Sequence, residues 1–390
     1  MCSAERHSSA NCDSELVLNV NCHNLPFFRP CFATFKSQAP EKRAGLGVRG
    51  TVAVIKKSFG VGAVVIGAGL YFVNASWLAS PPSGRPTVIA QRGLHQVYGR
   101  EGVDDETCTA RRILPPSHLF IDNTLPSIAA AFNLGTDVVE VDVKLTKDRQ
   151  FVLFHDNTLE CRTNGTGWVG EHTLAELKVL DVGFGYTADD GKTFPLRGKG
   201  VGLITSLEEA LKAHPQSRFL IQIKDGDPGV GDTMVAYLED HALAQWDRLA
   251  FFGSVRAVLR IKSLRPEART WTAGSTARCL SQYLRIGWTG HVPKACDDGV
   301  IMVPIAQSGF VWGWPNRFLE RMRKHRTEVM LIARIDGLSG ANFSRLDTEE
   351  ELKRLPPGFD GSIWTDRVEV IGPLLKEKRD AEAARADAPR

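Results

Sequence analysis

The 390-residue sequence lacks the features that mark nucleic-acid-binding and repeat proteins. Its 48 Lys and Arg residues nearly balance its 45 Asp and Glu residues, and the net charge of +3 is spread along the chain rather than gathered in a block. It has no zinc-finger spacing, no aromatic-basic pattern and no internal repeat. We therefore expect no nucleic-acid partner, whereas 43% hydrophobic residues are sufficient for a folded core.

Charge is absent from one long stretch, residues 58–84. Its centre, SFGVGAVVIGAGLYFVNASWL, has about the length that crosses a bilayer as a helix. Because Lys56 and Lys57 precede it, the positive-inside rule places the rest of the chain outside the cytoplasm. We predict a transmembrane signal anchor at 56–80 and an exported, periplasmic or otherwise extracytoplasmic domain. The alternatives are a cleaved signal peptide, because NASWLAS offers small residues, and a buried core helix.

Apolar periodicity is absent from the first 50 residues, and we predict that 1–55 are a disordered segment or an over-long gene start. Four of the eight cysteines lie there, at spacings that fit no metal motif. The other four lie in the predicted exported part, where an oxidising compartment favours disulfides. Proximity in sequence pairs Cys108 with Cys161 and Cys279 with Cys296. Buried free thiols are the alternative.

Short β-branched runs alternate with helical patterns from residue 87 onward, which is typical of an α/β fold with a parallel sheet. We predict a domain at 81–375 and a charged tail at 376–390. One predicted helix spans 123–135, and the two long loops are 97–121 and 161–203. The nine candidate strands are one too many for a (β/α)8 barrel, and the link between the second and third is too short for a crossover helix. This pair is either a hairpin or an irregular part of a barrel. The candidates are 87–91, 137–143, 150–155, 218–224, 249–253, 268–273, 299–305, 328–334 and 361–366.

Two carboxylates lie two residues apart in the strand sequence VVEVDV. Glu140 and Asp142 therefore point to the same face of the strand. Buried carboxylates this close repel each other unless a cation lies between them, and oxygen ligands suit Mg²⁺ or Ca²⁺. The sequence thus predicts a divalent metal site, with a solvated edge strand as the alternative. The next strand ends in His155-Asp156, where the acid can orient the imidazole for proton transfer.

The order of these motifs resembles the glycerophosphodiester phosphodiesterase family over roughly residues 87–370. The segments are RG, DNTLPSI, EVDVKLTKD, FHDNTLECRT and IQIK, beside a family pattern of HRG, ENT, E-x-D, HD and E-x-K. Two further segments, GYTADDGKTFPLRGKGVG and VPIAQSGFVWGWPNRF, are similar to an exported bacterial branch. The resemblance implies a TIM-like (β/α)8 barrel of the phospholipase-C-like phosphodiesterase type.

The resemblance also implies roles for individual residues. By position, Glu140 and Asp142 bind the metal, His155 is an acid/base, and Arg92 and Lys224 bind phosphate oxygens. Family chemistry is attack on phosphorus by the neighbouring glycerol hydroxyl, with two histidines transferring protons.

The chain departs from the family pattern at two positions. Gln91 stands where the family has its first catalytic histidine, and an amide does not exchange protons near neutral pH. Gln222 stands where the family has a metal-binding glutamate; its amide oxygen can still bind a hard cation, with one negative charge less. His95 is a candidate replacement for the missing base, although its position predicts a surface loop histidine.

The sequence therefore predicts metal-dependent hydrolysis of glycerophosphodiesters to an alcohol and glycerol 3-phosphate in lipid metabolism, with reduced activity. The substrate is a glycerophosphodiester or a related lipid headgroup, and the N-terminal helix binds the membrane. One alternative is a phospholipase-type reaction on intact lipid. The other is a catalytically weak barrel that binds phosphodiesters or a protein partner.

Overall fold

The computed structural model describes residues 67–104, 107–227, 229–336 and 342–386. The predicted segment 1–55 and the first part of the predicted anchor, 56–66, lie outside this range. Residues 67–74 are helical. Among the described residues, no helix combines the length and the apolar character needed to cross a membrane.

Eight parallel strands form a nearly closed barrel: the alternation of strand and helix patterns predicted the parallel sheet, and the family resemblance implied the barrel. The described residues form eleven strands in all, including those outside the barrel: β1 (Thr87–Gln91), β2 (Val138–Leu145), β3 (Phe151–Leu153), β4 (Arg218–Ile223), β5 (Leu249–Gly253), β6 (Arg269–Trp271), β7 (Val300–Pro304), β8 (Glu328–Ile332), β9 (Arg334–Asp336), β10 (Asn342–Ser344) and β11 (Ser362–Thr365). Hydrogen bonds join the barrel strands in the order β6-β5-β4-β2-β1-β11-β8-β7. All nine predicted strands are present, and the carboxyl ends of the eight parallel strands meet at one mouth.

The predicted strand that is in excess of the eight barrel strands is β3, which forms a hairpin with β2. The two strands are antiparallel, with Val143 opposite Leu153. The turn between them is closed by Thr146, whose backbone N–H donates to the Gln150 carbonyl at 2.9 Å. A second hairpin, formed by β9 and β10, was not predicted, because each of its strands has only three residues. It lies between β8 and β11, beside the mouth of the barrel.

Helices pack around the outside of the sheet. They are α1 (Leu125–Asn133), α2 (Leu174–Lys178), α3 (Leu207–Ala213), α4 (Gly229–Asp240), α5 (Val255–Leu264), α6 (Ala273–Ile286), α7 (Asn316–Lys324), α8 (Glu349–Leu352) and α9 (Val368–Ala386). The predicted helix at 123–135 is α1, which begins after a capping box at Thr124 and Ser127. Helix α9 continues through most of the predicted tail.

The core lies on both faces of the barrel wall. Val139, Val141 and Val143 of β2 are fully buried against α1, in one cluster with Ile128 and Ala131. The alternate residues of β2 therefore point into the barrel. Deeper in the barrel, an apolar layer closes the interior below the mouth; it contains Ile89, Val138, Leu220, Met302, Met330 and Trp364.

Both predicted disulfides are confirmed. Cys108 is bonded to Cys161, which joins the two long loops at the mouth of the barrel, and Cys279 is bonded to Cys296. The two cysteines are 53 positions apart in the first disulfide and 17 positions apart in the second, and each bond closes the loop between them. In the chain-entropy view such a crosslink stabilises the fold by about 3–4 kcal/mol, because it restricts the unfolded chain.

The segment before the predicted domain start at residue 81 packs against the barrel. The Arg321 guanidinium of α7 donates to the Val73 carbonyl at 2.9 Å and to Asn74 Oδ1 at 3.1 Å. The Asn316 backbone N–H donates to Ser76 Oγ at 2.9 Å. Contacts with the barrel therefore reach back to Val73.

Candidate active site

The predicted site residues meet at the carboxyl ends of three adjacent strands. Gln91 of β1 is in register with Glu140 of β2, and Asp142 of β2 is in register with Gln222 of β4. Glu140 and Asp142 are both 0% exposed and lie on the interior face of β2. The solvated edge strand considered from the sequence is therefore wrong, because β2 lies between β1 and β4.

A sharp turn places Arg92 at the mouth. Arg92 has φ 54° and Gly93 has φ 80°, both in the left-handed region. A Cβ on Gly93 would lie 2.8 Å from the Ser127 carbonyl oxygen, so the position requires glycine. The turn directs the Arg92 backbone N–H to Glu140 Oε2 at 3.1 Å and the guanidinium Nε to within 2.9 Å of Asp142 Oδ2.

Asp142 is the electrostatic centre of the site. Besides Arg92, it has Lys224 Nζ 3.5 Å from its Oδ1. Asn123 Nδ2 donates to its Oδ2 at 3.0 Å, and the Asp142 backbone N–H donates to Asn123 Oδ1 at 3.1 Å. Asn123 belongs to the DNTLPSI motif at the start of α1, so this hydrogen-bonded pair ties that motif to the two strand carboxylates.

The two buried carboxylates differ in their protonation. Burial, reinforced by the charge of Asp142, raises the pKa of Glu140 to about 8. Burial also disfavours ionised Asp142, but the cations of Arg92 and Lys224 outweigh it and hold the pKa of Asp142 well below its usual range. Arg92 and Lys224 thus supply part of the positive charge that the sequence analysis assigned to a metal ion between the carboxylates.

The side chains present fit a divalent cation. Glu140, Asp142, Gln91 and Gln222 all offer oxygen atoms, the donor type that Mg²⁺ and Ca²⁺ prefer. Gln91 Oε1 is buried without a hydrogen-bond partner. Among the described residues, however, no group of three or more Asp, Glu, His or Cys side chains is arranged for a metal. A cation here would have only two charged ligands.

Gln222 already bridges the two carboxylates. In the orientation that satisfies its amide, the nitrogen donates to Glu140 Oε1 at 2.9 Å and to Asp142 Oδ1 at 3.1 Å. Metal binding by the Gln222 oxygen therefore requires the amide to turn over. A glutamate at this position has no such donor, so the substitution stabilises the pair of carboxylates without a metal.

His155 is oriented from behind by its neighbour. His155 Nδ1 donates to Asp156 Oδ1 at 2.6 Å, so the second ring nitrogen remains for the cavity, which His155 lines. Burial and the charge of Arg92 lower the pKa of His155 to about 3. The imidazole is therefore neutral near pH 7 and able to accept a proton.

Arg162 continues the hydrogen-bonded series of His155 and Asp156 away from the cavity. Its Nε donates to Asp156 Oδ2 at 2.8 Å, and its Nη1 donates to Asp122 Oδ1 at 3.1 Å and to the Tyr186 hydroxyl at 2.7 Å. Arg162 holds the pKa of Asp156 far below normal, against the opposing effect of burial. The sequence interpretation missed this network, although Arg162 belongs to the quoted motif FHDNTLECRT.

His95 does not replace the missing histidine. It is 2% exposed, so its predicted position on a surface loop is wrong. The turn at Arg92 and Gly93 directs it inward, where Nδ1 bonds the Gln96 carbonyl at 2.9 Å and Nε2 faces Asp366 at 3.4 Å. It is not among the residues that line the cavity. Burial and the Arg92 charge lower the pKa of His95 to about 4.

A cavity of about 200 Å³ opens above these groups. Arg92, His155 and Lys224 line its base, next to both glutamines. Its walls come from the loop after β1, from β5 and from the β9–β10 hairpin, and they include Tyr98, Arg100, Val103, Phe252, Phe343 and Arg345. The sequence interpretation missed the wall residues because they lie far from the recognised motifs.

Part of the chain is similar to known phosphodiesterases. Residues 115–257 match the model of the Glycerophosphoryl diester phosphodiesterase family. A Bacillus subtilis glycerophosphodiester phosphodiesterase is 34% identical over 128 residues, which are 31% of this chain and 42% of the relative. A Caldanaerobacter subterraneus glycerophosphodiester phosphodiesterase is 34% identical over 125 residues, 31% of this chain and 48% of the relative. The matched stretch thus spans less than half the length of these curated relatives.

A solved structure supports the fold across more of the chain. The glycerophosphoryl diester phosphodiesterase domain of a Mycobacterium tuberculosis protein has a TM-score of 0.53 and 15% sequence identity. The similarity covers 75% of this chain and 99% of that domain. At this identity the likeness concerns the barrel and not its chemistry.

Proposed function

We propose that this chain, which carries a domain of the glycerophosphoryl diester phosphodiesterase family over residues 115–257, hydrolyses glycerophosphodiesters to an alcohol and glycerol 3-phosphate. The observation that carries the proposal is a single cavity in which the cations Arg92 and Lys224 lie beside the proton-transfer group His155. A phosphodiester is a monoanion whose cleavage needs both kinds of group.

His155 transfers the proton in this proposal. Because it is neutral and its Nδ1 is bonded to Asp156, Nε2 accepts the proton of the attacking hydroxyl. Asp156 then stabilises the imidazolium, and the imidazolium gives the proton to the leaving oxygen, which releases the alcohol and leaves a cyclic glycerol phosphate. Water then attacks the phosphorus of this ring, with His155 taking the proton of the water and returning it to the ring oxygen that leaves, and glycerol 3-phosphate results. Arg92 and Lys224 bind the non-bridging phosphoryl oxygens and offset the charge that develops on them.

A divalent metal, Mg²⁺ or Ca²⁺, is part of the proposal. Glu140, Asp142 and Gln222 would hold it, and when bound it supplies positive charge to the phosphoryl oxygens. Arg92 Nε contacts Asp142 Oδ2 and Lys224 Nζ contacts Asp142 Oδ1, so a metal held there would share Asp142 with both cations. With only two charged ligands, we expect weaker metal binding than in a site with three carboxylates.

Gln91 lowers the expected rate. Its amide can donate a hydrogen bond to a leaving or attacking oxygen, but it cannot give or take a proton near neutral pH. Loss of one acid/base group commonly costs about 10²–10⁴ in rate. The proposed enzyme therefore works with one proton-transfer group, His155, and is slower than a two-histidine site.

We place the reaction in lipid metabolism outside the cytoplasm. Two disulfides in the barrel support an oxidising compartment. The membrane anchor at 56–80 stays a prediction from the sequence. The other two functions considered from the sequence, cleavage of intact lipid and binding without turnover, are not favoured by the curated relatives, which are named as glycerophosphodiester phosphodiesterases.

The test is release of glycerol 3-phosphate from glycerophosphocholine by the purified full-length chain, after chelation and after addition of Mg²⁺ or Ca²⁺. Phosphatidylcholine in detergent serves as the comparison substrate. We expect slow, metal-stimulated release from glycerophosphocholine alone. Faster release of product from phosphatidylcholine, or no product from either substrate, would contradict the proposal.

A further inference from the structure

The β9–β10 hairpin carries an arginine to the cavity from the half of the barrel that the family match does not cover. Arg345 follows β10 directly, and its backbone is fixed on both sides. Before it, the Ala333 N–H donates to the Ser344 carbonyl at 2.9 Å. After it, the Leu346 N–H donates to the Trp364 carbonyl at 2.8 Å. The side chain therefore starts from a defined point beside β11.

Two aromatic rings hold the Arg345 guanidinium in place. Its central carbon lies 5.3 Å from the centre of the Phe343 ring and 4.8 Å from the centre of the Trp364 ring. Stacking of this kind orients a planar guanidinium and leaves its edge free for hydrogen bonds. Phe343 and Arg345 both line the cavity that contains Arg92, His155 and Lys224.

The guanidinium keeps unused donors. Its Nη1 lies 3.5 Å from Asp366 Oδ2, and Asp366 also contacts Arg100. Its Nε is buried and has no hydrogen-bond partner. Burial lowers the pKa of Arg345 only to about 10, so the group is charged at neutral pH. Arg92 and Lys224 are paired with Asp142 inside the site, whereas the acidic partner of Arg345 is Asp366.

We propose that Arg345 binds a non-bridging phosphoryl oxygen of the substrate, in addition to Arg92 and Lys224, and that this makes phosphate binding possible without a divalent metal. The inference rests on the proposed function for the identity of the substrate. It gives a reason for Gln222: position 222 adds no negative charge beside Glu140 and Asp142. The cavity is lined by more cationic side chains, Arg92, Arg100, Lys224 and Arg345, than acidic ones, of which Asp104 is one, and this lining suits a phosphodiester monoanion.

The test measures binding apart from turnover. Inorganic phosphate and glycerol 3-phosphate are titrated calorimetrically into the full-length chain in the presence of a chelator. We expect both to bind the unchanged protein, and Arg345→Met to weaken binding by about 10–100-fold, the usual effect of a lost charge-assisted hydrogen bond. Arg326→Met is the matched control, because Arg326 is exposed and pairs with Asp298.

A second variant keeps the test decisive if Arg345→Met fails to fold. Arg345→Lys retains the charge but loses the planar stacking and paired donors, so we expect an intermediate loss and a raised KM with little change in kcat. Unchanged phosphate affinity in either folded variant would overturn the inference, and so would phosphate binding that appears only with a divalent metal. Loss of binding in Arg345→Met in a chain that turns over no diester would sustain the inference and refute the proposed function.

Discussion

The two sides of the cavity are built differently. On one side, His155 is oriented by Asp156, which is in turn fixed by Arg162, and only the His155 Nε2 atom is left for the cavity. On the other side stand two amides, Gln91 and Gln222, and the Gln91 oxygen is buried without a partner. In the proposed reaction His155 therefore transfers the protons, and the two amides offer hydrogen bonds and oxygen ligands for a metal. The two sides make different and separable contributions.

Removal of the His155 imidazole should have the largest effect on rate. In a site with two acid/base groups the second retains part of the catalysis, but here Gln91 cannot. We expect His155→Ala to lower kcat by up to about 10⁴-fold, to background. The readout is release of glycerol 3-phosphate. His291→Ala is the control, since His291 is exposed, and residual turnover above about one tenth in His155→Ala would show that proton transfer lies elsewhere.

The reverse change, from an amide to an imidazole at position 91, should restore proton transfer on the side of the cavity that contains Gln91. Gln91→His places an imidazole in register with Glu140, in the same cavity as His155. Because glutamine and histidine are both polar and of similar reach, we expect the strand to be preserved and kcat to rise by about 10²–10⁴-fold. Gln307→His, an exposed position, controls for a general effect of an added histidine. Wild-type turnover that does not change in Gln91→His would mean that the amide side takes no part in proton transfer.

Asp156 should matter less than the histidine that it orients. Asp156→Asn keeps the hydrogen bond but removes the charge that stabilises the imidazolium, and we expect a loss of about 10–100-fold in kcat with little change in KM. Asp297→Asn is a matched control, because Asp297 forms an equivalent pair with His325 at 2.7 Å on the surface. An equal loss of kcat in both variants would indicate a general effect on stability.

Much of the barrel follows from local sequence. Each predicted strand is a short apolar run, and the spacing of Glu140 and Asp142 is enough to place them on one face. The disulfides also follow, because each joins cysteines that are near in sequence. What the sequence does not show is set by contacts between distant segments. Arg345 reaches the cavity only through the β9–β10 hairpin, whose strands are too short to recognise.

The orientation of His95 is a second example. A histidine four residues after a strand is on the surface in most loops, and nothing in GLHQ predicts otherwise. The left-handed turn at Arg92 and Gly93 reverses the chain toward Ser127, and the next residues are drawn under the mouth of the barrel. Burial then follows from packing around Asp366, which is 271 positions away in the sequence numbering. No local pattern contains that information.

The smallest effect that we predict concerns stability at acid pH. The pKa of His155 is lowered to about 3 in the folded chain, whereas an exposed histidine titrates near about 6.5. Between these values the unfolded chain binds a proton at this residue and the folded chain does not. The free energy of unfolding should therefore fall by about 1.4 kcal/mol for each pH unit of acidification below about 6.5, from this residue alone. Above that pH the contribution is constant.

Urea unfolding between pH 7 and pH 5 separates the two sides of the cavity. Gln91 does not titrate, so His155→Gln should flatten the dependence on pH. Gln91→His should steepen it, because the new imidazole would be buried beside the Arg92 cation, which also opposes its protonation. Gln307→Asn, an exchange of non-titrating side chains at an exposed position, should leave the slope unchanged. A slope that is the same in His155→Gln as in the unchanged chain would mean that His155 binds protons equally in the folded and the unfolded chain, and would contradict a lowered pKa of this histidine.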